Sequence, residues 1–140
     1  MVSYRINPAF DIAEVIAVLR SSSLNRPADD PARLRCMFDH ADLTVGAYDG
    51  SRLIGYARAL SDRAWACYLA DLAGTEAYQG QGVGRAMVDC IRAEIGDRGG
   101  KHLVFFPPGE KRQTPISGIN SEIRQAAGIG LAPHRGIRFV

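Results

Sequence analysis

The sequence predicts one α+β domain over residues 1–140, with a mixed, mostly antiparallel twisted sheet flanked by helices. Three observations carry that prediction. The chain has 140 residues, 46% hydrophobic and 23% charged, the size and balance of one globular domain. Strand-like and helix-like periods follow each other in mixed order around a hairpin signal, Asp49-Gly50, which suits helices packed on a twisted sheet. A strand-like run then passes through a glycine turn into a helix, at Tyr78-Gln79-Gly80-Gln81-Gly82-Val83-Gly84-Arg85.

Each element has a local reason. Val2 to Ile6 alternates apolar and polar residues, the period of a strand. Pro8 opens a helical pattern carried by Phe10, Ile12, Ala13, Ile16, Ala17 and Leu19, and Ser21-Ser22-Ser23 ends it. Asp30-Pro31 starts a second helix, with aspartate as cap and proline in the first turn, and Leu34, Met37 and Phe38 as its buried stripe. Leu43 to Tyr48 and Leu53 to Leu60 read as strands joined through Asp49-Gly50, because glycine accepts positive φ. Trp65 to Ala73 is the next strand. Val83 to Ile95 is an amphipathic helix, with Val83, Met87, Cys90, Ile91 and Ile95 inward and Arg85, Asp89 and Arg92 outward. Gly96, Gly99 and Gly100 stop it. Leu103 to Phe106 is a short strand ended by Pro107-Pro108; Ile119 to Ala127 is a further helix and Ile137 to Val140 a final strand.

Composition excludes several classes of function. The net charge is only +2, too small to argue for nucleic acid. It is uneven: from Arg98 onward seven basic residues face two acidic ones, so that part is +5 and the rest −3. A solvated basic face and a phosphate-bearing ligand both fit that asymmetry. Cys36, Cys67 and Cys90 are scattered, as are His40, His102 and His134, in neither a disulfide framework nor a metal-ligand spacing. The three cysteines read as small buried or half-buried thiols in a reducing compartment. No run of about 18 apolar residues suggests a membrane span. Met1 to Phe10 has no basic start or apolar signal core, so a cytoplasmic location is expected.

The glycine turn is the strongest chemical signal. A strand that turns through glycines into a helix leaves N–H groups bare at the positive end of the helix dipole, which is an anion site. Two nucleotide motifs fail. The dinucleotide pattern G-x-G-x-x-G meets Arg85 when counted from Gly80 and Met87 when counted from Gly82. A P-loop counted from Gly80 would need glycine where Arg85 stands. A purely structural turn with a surface arginine is the bland alternative.

The spacing Gln79-x-x-Gly82-x-Gly84 between a strand and a helix resembles the signature of the GNAT acetyltransferase superfamily, which is Gln or Arg, two residues, Gly, one residue, then Gly or Ala. The likeness is closest from Asp71-Leu72-Ala73 to Met87, and the element order agrees over most of the chain. It implies a GNAT-like sheet with a splayed central strand pair and acetyl-CoA as co-substrate. Gln79, Gly80, Gln81, Gly82, Val83, Gly84 and Arg85 would then cradle the pyrophosphate. Leu72, Ala73 and Gly74 would bond the pantetheine arm, with Leu103 to Phe106 as the other wall. A backbone N–H at Leu72 or a neighbour would polarise the thioester carbonyl. Gly74 and Glu76 stand where the family often has Val and Pro.

Acetyl transfer to an amine needs a neutral nitrogen, and an alkylammonium has a pKa of about 10, so a base or water relay helps. Asp71 is the first candidate, since related enzymes often carry an acid there. On a two-residue period its side chain points with Leu69 and Ala73, and an ion pair is its alternative role. Glu76 is the second candidate, with capping as its alternative. The family's late-helix tyrosine, which protonates the leaving thiolate, has no counterpart. Matching its glycine to Gly130 puts Ala126 at the tyrosine position and Leu131 at the aromatic one. Asn120 falls one residue out of register, and Ser117, Ser121 or water would have to substitute.

The resemblance therefore implies an acetyl-CoA-dependent N-acetyltransferase acting on a small-molecule or peptide amine, with no metal, nucleic acid or membrane. A homodimer is the default assembly. The alternatives are a non-catalytic acyl-CoA-binding or regulatory module on the same fold, and, more remotely, an unrelated phosphate-binding domain.

Overall fold

The computed structural model describes residues 1–64 and 66–95, and the backbone of Leu103–Phe105. Strand β1 (Val2–Ile6) is followed by α1 (Ile12–Ser21), α2 (Pro31–Asp39), β2 (Leu43–Asp49), β3 (Arg52–Ser61), β4 (Ala66–Gly74), a 3-10 turn at Glu76–Tyr78, α3 (Val83–Ile95) and β5 (Leu103–Phe105). The strands form one sheet in the order β1-β2-β3-β4-β5. The first four run antiparallel and β5 lies parallel to β4, so α3 is the crossover between parallel neighbours. The expected α+β sheet with flanking helices is the architecture observed. The expected helix at Ile119 to Ala127 and the strand at Ile137 to Val140 lie outside the described residues.

The helix boundaries follow capping chemistry. The Asp30 side chain accepts the N–H of Arg33 at 3.0 Å, and Pro31 occupies the first helical position of α2, as expected. Helix α1 starts later than Pro8 suggests. Asp11 is its cap, accepting the N–H of Ala13 at 2.9 Å. Phe10 and Val15 are both buried on either side of that cap, the arrangement of a hydrophobic staple. Capping and burial together decide where α1 begins, while Pro8 only restricts its own φ. The β2–β3 hairpin pairs Asp49 with Arg52, so the loop is Gly50-Ser51 with Gly50 at φ +60°. A two-residue hairpin loop favours glycine at that place.

The sheet is covered on both faces. Helix α3 lays Val83, Met87, Val88, Ile91 and Ile95 on Val45, Ala47, Ala57, Ala59, Cys67 and Leu69. Val88 takes an inward place expected of Cys90, which is half-buried. Helices α1 and α2 cover the other face through Val15, Val18, Leu34 and Phe38 against Tyr48, Tyr56 and Ala73. Phe38 meets Phe10 and Tyr56 edge-on, with ring centroids 4.8 and 5.0 Å away. Such pairs add about 0.5–1.5 kcal/mol each beyond their buried area.

Candidate functional site

The site is organised by β4. Strand β5 pairs with it only from Ala66 to Tyr68, where Tyr68 meets Phe105. From Leu69 to Gly74, no strand among the described residues pairs with that side of β4. The change coincides with a bulge. Opposite β3, Arg58 pairs with Asp71 but Ala59 pairs with Leu69, so Ala70 is an extra residue. An extra residue reverses the facing of the chain beyond it. Leu69 therefore packs in the α3 core, whereas Ala73 packs on the α1–α2 face. The two-residue period grouped Asp71 with both. The bulge separates it from Leu69 and leaves it on the α1–α2 side.

There Asp71 meets two arginines. Arg26 Nε donates to its Oδ1 at 2.6 Å, and Arg58 Nε donates to its Oδ2 at 2.7 Å. The Asp71 side chain is 0% exposed, that of Arg58 11% and that of Arg26 21%. Arg26 also donates to the carbonyls of Ala70 at 2.8 Å and Asn25 at 2.7 Å. Both carboxylate oxygens are thus occupied by charge-assisted bonds. The geometry favours the ion-pair reading of Asp71. Its two partners escaped the sequence reading. Arg58 carried a signal, a lone charge in an apolar strand like Asp71 itself; Arg26, in the α1–α2 loop, carried none.

The glycine turn lies beyond β4. Thr75 donates to the carbonyl of Ile54 at 2.9 Å, and Glu76 donates its N–H to Ser21 Oγ at 3.1 Å. The Tyr78 hydroxyl donates to Asp49 Oδ2, a bond that holds the Asp49 carboxyl below its usual range, helped by the N-terminal ammonium. Gln79 Nε2 donates to the carbonyl of Gly74 at 3.3 Å, and Gln81 Nε2 to that of Ala77 at 2.9 Å. The chain then passes Gly80 at φ +75° and Gly82 at φ +82°, a region closed to most side chains. The first helical bond of α3 runs from the N–H of Ala86 to the carbonyl of Gly82. The N–H groups of Gly80, Gln81, Gly82, Val83, Gly84 and Arg85 make no close, well-aligned hydrogen bond to an acceptor among the described residues.

This turn fits a phosphate. A Cβ at Gly80 or Gly82 would meet nothing within 4 Å, so the space on the Cβ side of both glycines is open. Gly84 has ordinary φ, and a Cβ there would lie 3.7 Å from Leu72, an ordinary contact. Arg85 pairs with Asp89 at 3.5 Å across one helical turn, with both side chains 53% exposed. The carboxylate of Glu76 belongs to an exposed residue at the start of the 3-10 turn. Burial pushes the Cys67 thiol up to about 11, so it is a neutral core group; Cys90 is half-buried as expected, but Cys36, near the end of α2, is exposed. Ser117, Asn120, Ser121, Ala126, Gly130 and Leu131 lie outside the described residues.

Comparison with known proteins agrees with this geometry. The model of the acetyltransferase (GNAT) family matches residues 11–112. A GNAT-family acetyltransferase from Streptococcus pneumoniae TIGR4 superposes with a TM-score of 0.62 at 15% identity, over 99% of this chain and 98% of that one. A ribosomal-protein-alanine N-acetyltransferase from Brucella melitensis biovar Abortus 2308 gives 0.62 at 18% identity, over 99% and 100%. An aminoglycoside acetyltransferase from an uncultured soil metagenomic sample, in complex with sisomicin, gives 0.58 at 14% identity, over 99% and 94%. No curated protein has a significantly similar sequence. The structural likenesses establish the fold, and the family model, which spans the β4 bulge and the glycine turn, establishes that the chain belongs to the GNAT acetyltransferase family.

Proposed function

We propose that the protein, one domain over residues 1–140, transfers an acetyl group from acetyl-CoA directly to an amine. One observation carries the reading: the row of N–H donors from Gly80 to Arg85 without a close acceptor among the described residues, beside the side of β4 that no described strand pairs. Those donors hold the pyrophosphate, and the backbone of Leu72, Ala73 and Gly74 holds the pantetheine arm. Bound acetyl-CoA supplies an activated acetyl thioester. A β4 N–H at Leu72 or a neighbour polarises the carbonyl as the amine attacks it, and the thiolate leaves. Holding both reactants in one cleft supplies much of the rate. Asp71 is buried with each oxygen bonded to an arginine, so the role of accepting the amine proton falls to Glu76 or to water. The amine acceptor agrees with the names of two structural neighbours, one an N-acetyltransferase of protein alanine and one an aminoglycoside acetyltransferase. The protein acts in the cytoplasm, as a monomer or homodimer, without nucleic acid, membrane or metal. No described helix is long and apolar enough to cross a membrane.

The engagement of Asp71 favours a second reading, a non-catalytic acyl-CoA-binding module. Thiol release from acetyl-CoA across a panel of amines separates the two. The enzyme reading predicts amine-dependent release that Glu76→Gln slows. Tight acetyl-CoA binding with no release over the hydrolytic background would establish the module instead.

A further inference from the structure

We propose that Arg26 is a positioning residue that sets the geometry of the acetyl-binding end of β4 by stapling the bulge at Ala70. The inference rests on the acetyl-CoA reading above, since it concerns the strand end assigned to the thioester.

Three facts meet at one place in β4. Pairing with β5 ends at Tyr68, the bulge follows at Ala70, and the backbone assigned to the pantetheine arm begins at Leu72. The bulge therefore lies at the junction between the part of β4 held on both sides and the part paired, among the described residues, with β3 alone. A bulge in such a strand has few bonds to fix its extra residue, because the ladder is interrupted there.

Arg26 supplies the missing constraint. Its Nη2 donates to the carbonyl of Ala70 at 2.8 Å, the bulged residue itself. Its Nε donates to the carboxylate of the next residue, Asp71, at 2.6 Å. A guanidinium presents these donors in one rigid plane, so the two contacts fix the relative placing of a backbone carbonyl and the following side chain. Arg58 completes the clamp from β3, bonded to the other oxygen of Asp71 at 2.7 Å. Arg58 lies directly across from Asp71 and ties strand to strand. Arg26 comes from 45 residues away and ties the α1–α2 loop to the bulge. The same loop, through Asn25 and Pro27, lines an open groove with Arg33 and Met37 of α2, so Arg26 also joins that groove to the strand.

The location separates positioning from affinity. The donors assigned to pyrophosphate lie at Gly80 to Arg85, after β4 has ended, whereas the bonds of the two arginines described above go to Asn25, Ala70 and Asp71. Loss of Arg26 should disturb the acetyl end and spare the phosphate end. A misplacement of about 1 Å at a reacting group lowers turnover by roughly 100-fold.

The test compares wild type, Arg26→Gln and Arg26→Lys by backbone amide NMR without ligand, by CoA calorimetry and by acetyl-CoA turnover. Arg26→Gln should move the amide signals of Asp71, Leu72 and Ala73 and leave those of Gly82 and Gly84 in place. CoA affinity and the KM for acetyl-CoA should stay within about 3-fold, while kcat falls by roughly 10- to 100-fold. Lysine reaches one acceptor with one point charge, so Arg26→Lys should recover only part of kcat. The proposal is overturned if a folded Arg26→Gln variant leaves those β4 signals and kcat unchanged. It is also overturned if CoA affinity falls in step with kcat, since that is general loosening of the fold. Wild type that binds no CoA at all would instead overturn the acetyl-CoA reading, while the amide shifts still report the staple.

Discussion

The glycine turn and Asp71, the centre of the Arg26–Asp71–Arg58 cluster, belong to the same end of β4, and turn and cluster treat charge in opposite ways. In the turn, N–H groups carry partial positive charge and make no close, well-aligned hydrogen bond to an acceptor among the described residues. In the cluster, a carboxylate with 0% side-chain exposure is bonded through both oxygens. Open space stands on the Cβ side of Gly80 and Gly82, whereas the cluster is packed beneath the α1–α2 loop. Unanswered donors on an accessible turn mark a place for a ligand; answered charges in the interior mark a device that holds the scaffold. The two carboxylates named as bases from the sequence divide along the same line: Glu76 reaches solvent and Asp71 does not.

That contrast can be broken in order of expected size. Asp71→Ala should be the most damaging change, because it leaves Arg58 buried without its counter-charge. Urea unfolding should show a loss of about 3–5 kcal/mol. A loss below about 1 kcal/mol would place the cluster with solvent-screened surface pairs. Gly82→Val comes next. Its φ of +82° strains any β-branched residue, but no neighbour is crowded, so the loss should be about 1–2 kcal/mol. Gly84→Ala should be smaller and of opposite sign, a gain of up to about 0.5–1 kcal/mol, since φ is ordinary and the methyl only touches Leu72. Thermal unfolding of the two glycine variants side by side tests whether φ, rather than glycine itself, is the requirement. The remaining effect is in pH and is confined to the alkaline side. The Cys67 thiol is raised to about 11 in the fold, above its unfolded value near 9. Its contribution is complete below about pH 9 and is lost as pH rises through 11. Cys67→Ala should lower stability at neutral pH but flatten that alkaline decline.

Legibility in the sequence followed the range of the interactions. Helix α3 could be bounded at Val83 and Ile95 because glycines flank it and its apolar stripe has helical period. Helix α2 could be started at Pro31 because Asp30 caps within three residues. The glycine turn was readable for the same reason, as a run of consecutive residues. Helix α1 was begun too early because Pro8 is a weaker determinant than the Asp11 cap with Phe10 and Val15 packed around it. The facing of Asp71 relative to Leu69 was not readable. No glycine or proline marks the bulge at Ala70, and its fixing partners come from Arg58 and from Arg26, which is 45 residues distant in sequence. The missing late tyrosine concerns positions beyond the described residues, and its replacement is a question for kinetics.

The central claim is that residues 80–85 form a cradle for the pyrophosphate of acetyl-CoA. Calorimetric titration of wild type and Gly82→Val with acetyl-CoA, and with S-acetylpantetheine, which lacks the pyrophosphate, tests it directly. The account predicts that wild type binds acetyl-CoA much more tightly than S-acetylpantetheine, and that Gly82→Val removes that advantage while leaving the weak pantetheine affinity unchanged. No acetyl-CoA binding by wild type, or an advantage that survives in folded Gly82→Val, would contradict it.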